Sequence, residues 1–188
     1  LDGLMPIVDF GARQPLYVFI YSVAFKFFGV SLLVGRLVPL VSSLAVAFFI
    51  YLIGKQIFNK NVGLLSATIY LFLPLVLIWS VIVKTEQVAL VFVTFSIYLL
   101  VVYLNARVQR RTWLTLAGIC AAAAFYIRQP TLYLPLATVM YLLIFTKIKI
   151  RERLVLITHY VLGYLAVVAG FFAIYFKRVG LVDILFSQ

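Results

Sequence analysis

The stretch IWSVIVKTEQVALVF, residues 78–92, places a lysine and a glutamate two positions apart between two long apolar runs. Its reading decides the fold. If Lys84 and Glu86 mark a wet end between two helices, the runs on either side are membrane spans, and the other apolar stretches follow the same rule. If the pair also points inward, the break is part of a site. Charge is scarce: 11% of the 188 residues are charged and 66% are hydrophobic. Each charged position therefore asks for a physical reason.

A mean hydropathy of +1.18 excludes an ordinary soluble domain, whose apolar share is nearer one half. Lipid must supply much of the solvent. The 17 Phe and 12 Tyr suit lipid contact and the membrane–water boundary. A net charge of +11 fits the basic loops that orient membrane proteins and attract anionic headgroups. It does not indicate nucleic acid, because no basic helix free of apolar residues is present to carry it. A single cysteine, Cys120, excludes an intrachain disulfide and a thiolate metal cluster. It stands beside a run of alanines and reads as a small residue that lets helices approach. The single histidine, His159, argues against a His-based metal site or a Ser-His relay; on an apolar helix it reads as packed against, or bonded to, a neighbouring helix.

A spanning helix needs about 20 mostly apolar residues. Six segments come near this: 32–53, 62–83, 87–104, 113–128, 131–146 and 154–176. The fourth and fifth are short, and such helices end inside the membrane only where protein or a watery cavity receives them. Pro74 and Pro135 read as kinks, and Lys177-Arg178 as the close of the sixth segment. Residues 14–29, QPLYVFIYSVAFKFFG, are too short to cross. Pro15 suits a first helical turn and Gly29 a C-terminal cap, so the expectation is a helix lying in the interface. The expected architecture is an all-α polytopic bundle: an outer loop with an interfacial helix (1–31), six spans (32–176) and an outer tail (177–188). No signal-peptide pattern opens the chain, and Leu1-Asp2-Gly3 reads as the start of a piece of a longer membrane protein.

Charge tests this topology. If the six segments alternate, three breaks share one side: 54–61, 105–112 and 147–153. They carry Lys55, Lys60, Arg107, Arg110, Arg111, Lys147, Lys149, Arg151 and Arg153 against one acid, Glu152. That side is expected to be cytoplasmic. The other receives Asp2, Asp9, Arg13, Lys84, Glu86, Arg128 and Asp183. Two readings stand for Lys84 and Glu86, a solvated turn or a site. Arg128 closes an alanine-rich run ahead of Pro130. It either snorkels to headgroups or holds a phosphate, for which a planar guanidinium offers paired donors. Tyr and Phe at 17, 19, 21, 25, 27 and 28 read mostly as interface anchors.

Residues 11–36, GARQPLYVFIYSVAFKFFGVSLLVGR, run on into LVPLVSSLAVAFFIYLIGKQIFNKNVGLLSATIYLFLP. The order Pro15-Leu16, Phe28-Gly29, Arg36-Leu37, a short basic loop from Lys55 to Gly63, and Pro74 resembles the GT-C membrane glycosyltransferases that use polyprenyl-phosphate sugars. More closely, it resembles the protein-mannosyltransferase and aminoarabinose-transferase-like group. The resemblance covers about residues 10–176. It implies a GT-C-like fold and an active site at the extracytoplasmic or lumenal boundary. It also implies transfer from a polyprenyl or dolichyl phosphate carrier to a glycan, lipid or protein acceptor. Glu86 would be the family's second acidic position, with Asp9 the stand-in for a first acid whose usual place lies upstream of this chain. Arg13, Lys84 and Arg128 would neutralise the leaving phosphate. A divalent metal stays possible, and the piece alone is expected to be inactive. The membrane would be a bacterial or archaeal plasma membrane or an endoplasmic reticulum.

The chemistry has its own logic. A sugar phosphate is already activated and its departing group needs positive charge; an acceptor hydroxyl needs a carboxylate to take its proton. The runner-up is a transporter or lipid flippase core, which would place ionisable residues near the bilayer midplane. A scaffold subunit, with Glu86 and Arg128 facing lipid or a partner, is the third reading.

Overall fold

The computed structural model describes residues 14–105, 110–146 and 149–186, with side chains through Ile174. Every regular element among them is helical. Helix α1 (Pro15–Phe28) starts on a proline, whose absent N–H is no loss in the first turn, and ends at Gly29. Gly29 takes φ +82°, a conformation open to glycine at little cost. Phe19, Phe27 and Phe28 of α1 are exposed, whereas Tyr21 is buried. The anchor reading therefore fails for Tyr21, which faces the interior.

Helix α2 (Leu32–Ile57) is capped by Ser31, whose hydroxyl accepts from the Val34 amide. Its internal Pro39 has no N–H to give to the Gly35 carbonyl, four residues back. The Tyr21 hydroxyl of α1 donates to that carbonyl instead, at 3.4 Å. A backbone defect in one helix thus becomes the docking point of another.

Helix α3 (Lys60–Phe72), capped by the Asn59 side chain on the Val62 amide, returns alongside α2. The two backbones meet where glycine faces glycine: a Cβ on Gly54 would lie 2.7 Å from the Gly63 Cα. Helix α4 (Pro74–Val81) follows with a 63° bend from α3. The kink expected at Pro74 is a break between two helices: α3 ends at Phe72, and Pro74 occupies the first turn of α4. Helix α5 (Thr85–Asn105) places Glu86 in its first turn, where the helix dipole favours a carboxylate.

Helix α6 (Thr112–Ile127) is the centre of the bundle: Ala117, Ala121, Ala122 and Ala124 are wholly buried. Its small residues admit backbone-to-backbone packing. A Cβ on Gly118 would fall 2.0 Å from the Tyr160 carbonyl oxygen, and one on Gly163 equally close to that of Thr115. Cys120 shares this face as a buried free thiol, as read from its neighbours. Ser96 of α5 donates to the Ala117 carbonyl at 2.8 Å. Rings stack between helices as well, Phe49 on Phe95 and Tyr126 on Phe171, with centroids 4.8 and 4.1 Å apart.

A 3₁₀ turn (Gln129–Leu132) leads to α7 (Tyr133–Ile144), which carries Pro135 within its first turn, where no kink is required. The last helix, α8, runs from Ile150 to Phe186. It does not close at Lys177-Arg178, since both are good helix formers and a charged pair marks polarity rather than a chain break. His159 on α8 bonds through Nδ1 to the Val155 carbonyl of its own helix at 2.7 Å. The expected partner on a neighbouring helix is replaced by the turn below it.

Three helices are long and apolar enough to cross a bilayer: α2, α5 and residues Ile150–Ile174 of α8. The bent pair α3–α4 makes a fourth if counted as one broken span. The expected count of about six full spans is not reached. The two remaining segments do form apolar helices, but α6 has 16 residues and α7 has 12. At 1.5 Å per residue neither covers a hydrocarbon core of about 30 Å. Their apolar composition placed them among the candidate spans although both are short, and burial of α6 inside protein removes the need to reach both surfaces.

Candidate functional site at the Glu86 end of the bundle

Two buried clusters fix which ends meet. Tyr103, Leu114, Leu142 and Leu156 gather the end of α5, the start of α6, the end of α7 and the start of α8. Asn105 donates to the Gln56 carbonyl at 3.2 Å, which brings the end of α2 to the same place. Lys55, Lys60, Arg110, Arg111, Lys149, Arg151 and Arg153 therefore share one end of the bundle. Arg153 also donates to the Leu143 carbonyl there. Arg107 and Lys147 lie outside the described residues.

At the opposite end, Tyr21 of α1, Val88 and Ala89 of α5, and Ile127 of α6 form a second cluster. Glu86 stands two residues before Val88 and Arg128 one residue after Ile127, so this apolar plug delivers both to one rim. The Arg128 Nη2 lies 3.5 Å from the Glu86 Oε1. The Glu86 side chain is 17% exposed and that of Arg128 38%. The break is therefore more than a wet turn: Glu86 is a half-buried carboxylate in a helical first turn, with a cation from another helix beside it. A pair with this much water contact adds no more than about 1 kcal/mol to stability.

Helix α1 supplies the third side. The Tyr17 and Tyr21 rings have centroids 4.6 Å apart. Burial raises the Tyr17 hydroxyl above its ordinary 10.0, the neighbouring Tyr21 opposes this, and the charge of Glu86 raises it again. Tyr17 thus stands within electrostatic reach of the carboxylate. Burial likewise raises the Tyr21 hydroxyl, helped by the neighbouring Tyr17.

The structure brings together Glu86 and Arg128 among the residues singled out from sequence. Lys84 is exposed, with its Nζ 6.0 Å from the Trp79 ring centroid, a cation–π distance. Asp9 and Arg13 lie outside the described residues. No three His, Cys, Asp or Glu side chains among the described residues gather into a metal site. Sequence reading missed Tyr17 as a neighbour of Glu86 and Tyr21 as the buried ring beside it; their spacing of four, one face of a helix, was the available signal. It also missed Gln87, which is fully buried and accepts from the Tyr70 hydroxyl at 2.8 Å.

Comparison with curated proteins and with solved structures gives no match. Residues 12–175 match the family model described as dolichyl-phosphate-mannose-protein mannosyltransferase. The match spans α1 through the membrane portion of α8, and includes both members of the Glu86–Arg128 pair. The chain belongs to this family and is an integral-membrane glycosyltransferase of the mannosyltransferase type.

Proposed function

We propose that this protein transfers a sugar from a polyprenyl or dolichyl phosphate carrier to an acceptor hydroxyl on the extracytoplasmic or lumenal face. Glu86 acts as base and Arg128 as the principal phosphate ligand. The observation that carries this reading is the Glu86–Arg128 pair, held by three helices at the end of the bundle away from the basic loops. By the positive-inside rule the basic end faces the cytoplasm, so the pair faces the other side. A lipid-borne donor has to present its phosphate at such a boundary. Lys84, exposed beside the same helix start, and Arg13 supply further positive charge, and Asp9 is the second acidic candidate.

The chemistry follows from the two groups. The acceptor oxygen attacks the anomeric carbon of the sugar. The bond from that carbon to the phosphate oxygen breaks, and polyprenyl phosphate leaves with the electron pair. The hydroxyl proton passes to the Glu86 carboxylate. Arg128 neutralises the charge that develops on the leaving phosphate. Donor phosphate competes with Glu86 for Arg128, and a carboxylate freed from its cation is the better base. Donor binding therefore readies the site for proton removal.

A transporter core is less consistent with the same features. Its ionisable groups belong near the midplane, often in a broken helix. Here the bent pair α3–α4 is the broken span, and residues 61–83 hold no charged side chain or histidine.

The test uses the full-length protein that carries these residues, reconstituted in vesicles with polyprenyl-phosphate sugars. Released polyprenyl phosphate is measured. Transfer should require an acceptor, and Glu86→Gln should slow it at least about a hundredfold. Equal rates for wild type and Glu86→Gln would remove Glu86 from the chemistry.

A further inference from the structure

Tyr70 and Gln87 form a strut between two helices that the chain separates by a long detour. Tyr70 lies near the end of α3 and Gln87 in the first turn of α5; their side chains meet at 2.8 Å. Everything between them is α4 and an extended link. Most of that detour faces outward: Leu75, Leu77, Ile78, Val81, Ile82 and Val83 are exposed, and only Val76 and Ser80 are buried. The detour is held to α2 through Val76, Ser80 and Val83, and the Tyr70–Gln87 bond is the side-chain hydrogen bond that ties α3 to the start of α5.

The partition of the first turn of α5 is informative. Successive helical side chains point about 100° apart. Gln87 is directed at α3, Glu86 at Arg128 beyond the end of α6, and Val88 and Ala89 at the cluster with α1. Gln87 thus ties the α3-facing side of the turn that carries Glu86.

Gln87 is also a poor choice for stability. It is 0% exposed, and its Nε2 has no hydrogen-bond partner. A buried amide donor left unmet costs its desolvation, and a methionine of similar length would avoid that cost. A group of this kind calls for a reason other than folding.

We propose that Gln87 and Tyr70 are positioning residues for Glu86, the strut between them aiming the carboxylate at the reacting hydroxyl. This rests on the reading of Glu86 as base given above. Neither residue touches substrate. Their effect passes through the orientation of the α5 first turn.

The experiment compares Tyr70→Phe, Gln87→Met and the double variant, each with Glu86 intact and with Glu86→Gln, in the full-length protein in vesicles. With Glu86 intact, each single variant should lower kcat about ten- to a hundredfold. KM should stay within about twofold, and the Tm should be unchanged or higher for Gln87→Met. The double variant should lose no more than the worse single, because both remove one strut. In the Glu86→Gln background, Tyr70→Phe should have no further effect. A separate readout needs no turnover: in Glu86→Cys protein, Tyr70→Phe should speed maleimide labelling at position 86. Wild-type kcat for Tyr70→Phe, or a loss that multiplies fully with Glu86→Gln, overturns the strut while leaving Glu86 as base. A loss confined to Tm reduces it to a structural contact. Wild-type rates for Glu86→Gln overturn the base assignment and the strut with it.

Discussion

The Tyr21 hydroxyl donates to the Gly35 carbonyl, the one acceptor in α2 that Pro39 leaves without its helical partner. An interior proline ordinarily weakens a helix. Here the freed carbonyl becomes the point where α1 attaches to the bundle, directly beneath the Glu86 rim. Removing the hydroxyl in Tyr21→Phe should cost about 1 kcal/mol, read as a lowered Tm in detergent. In Pro39→Ala the Gly35 carbonyl regains an intrahelical donor, so the penalty for Tyr21→Phe should shrink in that background.

The same docking predicts a response to alkali. The Tyr17 and Tyr21 hydroxyls are raised above 10.0 in the folded protein, mainly by burial. A released α1 would ionise near the ordinary value. The protonated folded form is therefore favoured at lower pH, and the stabilisation is progressively lost as pH rises above 10. Phenolate absorbance should lag behind that of free tyrosine, and α1 should become protease-sensitive when it appears.

Arg128 should separate binding from folding. Its pairing with Glu86 is half-exposed and contributes little stability, so Arg128→Ala should leave the Tm within a few degrees. Its effect should fall on transfer, with a loss of about a hundredfold or more in kcat/KM. Arg128→Lys should recover part of this, because an ammonium keeps the charge and loses the planar fork. A normal kcat/KM for Arg128→Ala would remove it from the donor site.

Glycines at the α6–α8 crossing should be intolerant. Gly118→Ala and Gly163→Ala each drive a methyl to 2.0 Å from a backbone oxygen, so the helices must separate. Each should destabilise by about 3 kcal/mol or more. Gly170→Ala, where a Cβ meets open space, should be neutral or stabilise by up to about 1 kcal/mol through helix propensity. Thermal unfolding of the three side by side provides the comparison.

Sidedness is directly measurable. With Cys120 replaced by Ala, single cysteines at Lys60, Arg110 and Lys149 should react with an impermeant maleimide from the cytoplasmic side only. Lys84→Cys should react from the other. Labelling of all four from one side would contradict the assigned orientation.

Much was legible in the residues themselves. Hydropathy established a membrane protein, and continuous apolar runs of about 20 residues made it helical, because a helix satisfies its whole backbone within one such run. Pro15 and Gly29 bounded α1, and the basic breaks announced the end of the bundle where they now gather. The order of short motifs pointed to the family that residues 12–175 match. Glu86 and Arg128 stood out because charge in such a chain is costly and few positions carry it.

Other features depended on three dimensions. Whether α6 spans the bilayer could not be read from its 16 residues, since a buried helix and a lipid-facing one share the same apolar composition. The roles of Gly118 and Gly163 appear only where two backbones cross. The Tyr21–Gly35 and Tyr70–Gln87 bonds join positions 14 and 17 residues apart, and no local pattern pairs them. Sequence determined that this chain lives in a membrane and which scarce charges it keeps, because transfer from water to lipid is a property of each residue. The tertiary structure alone decided that Glu86 meets Arg128, because that depends on how small side chains let α5 and α6 approach and where α6 stops.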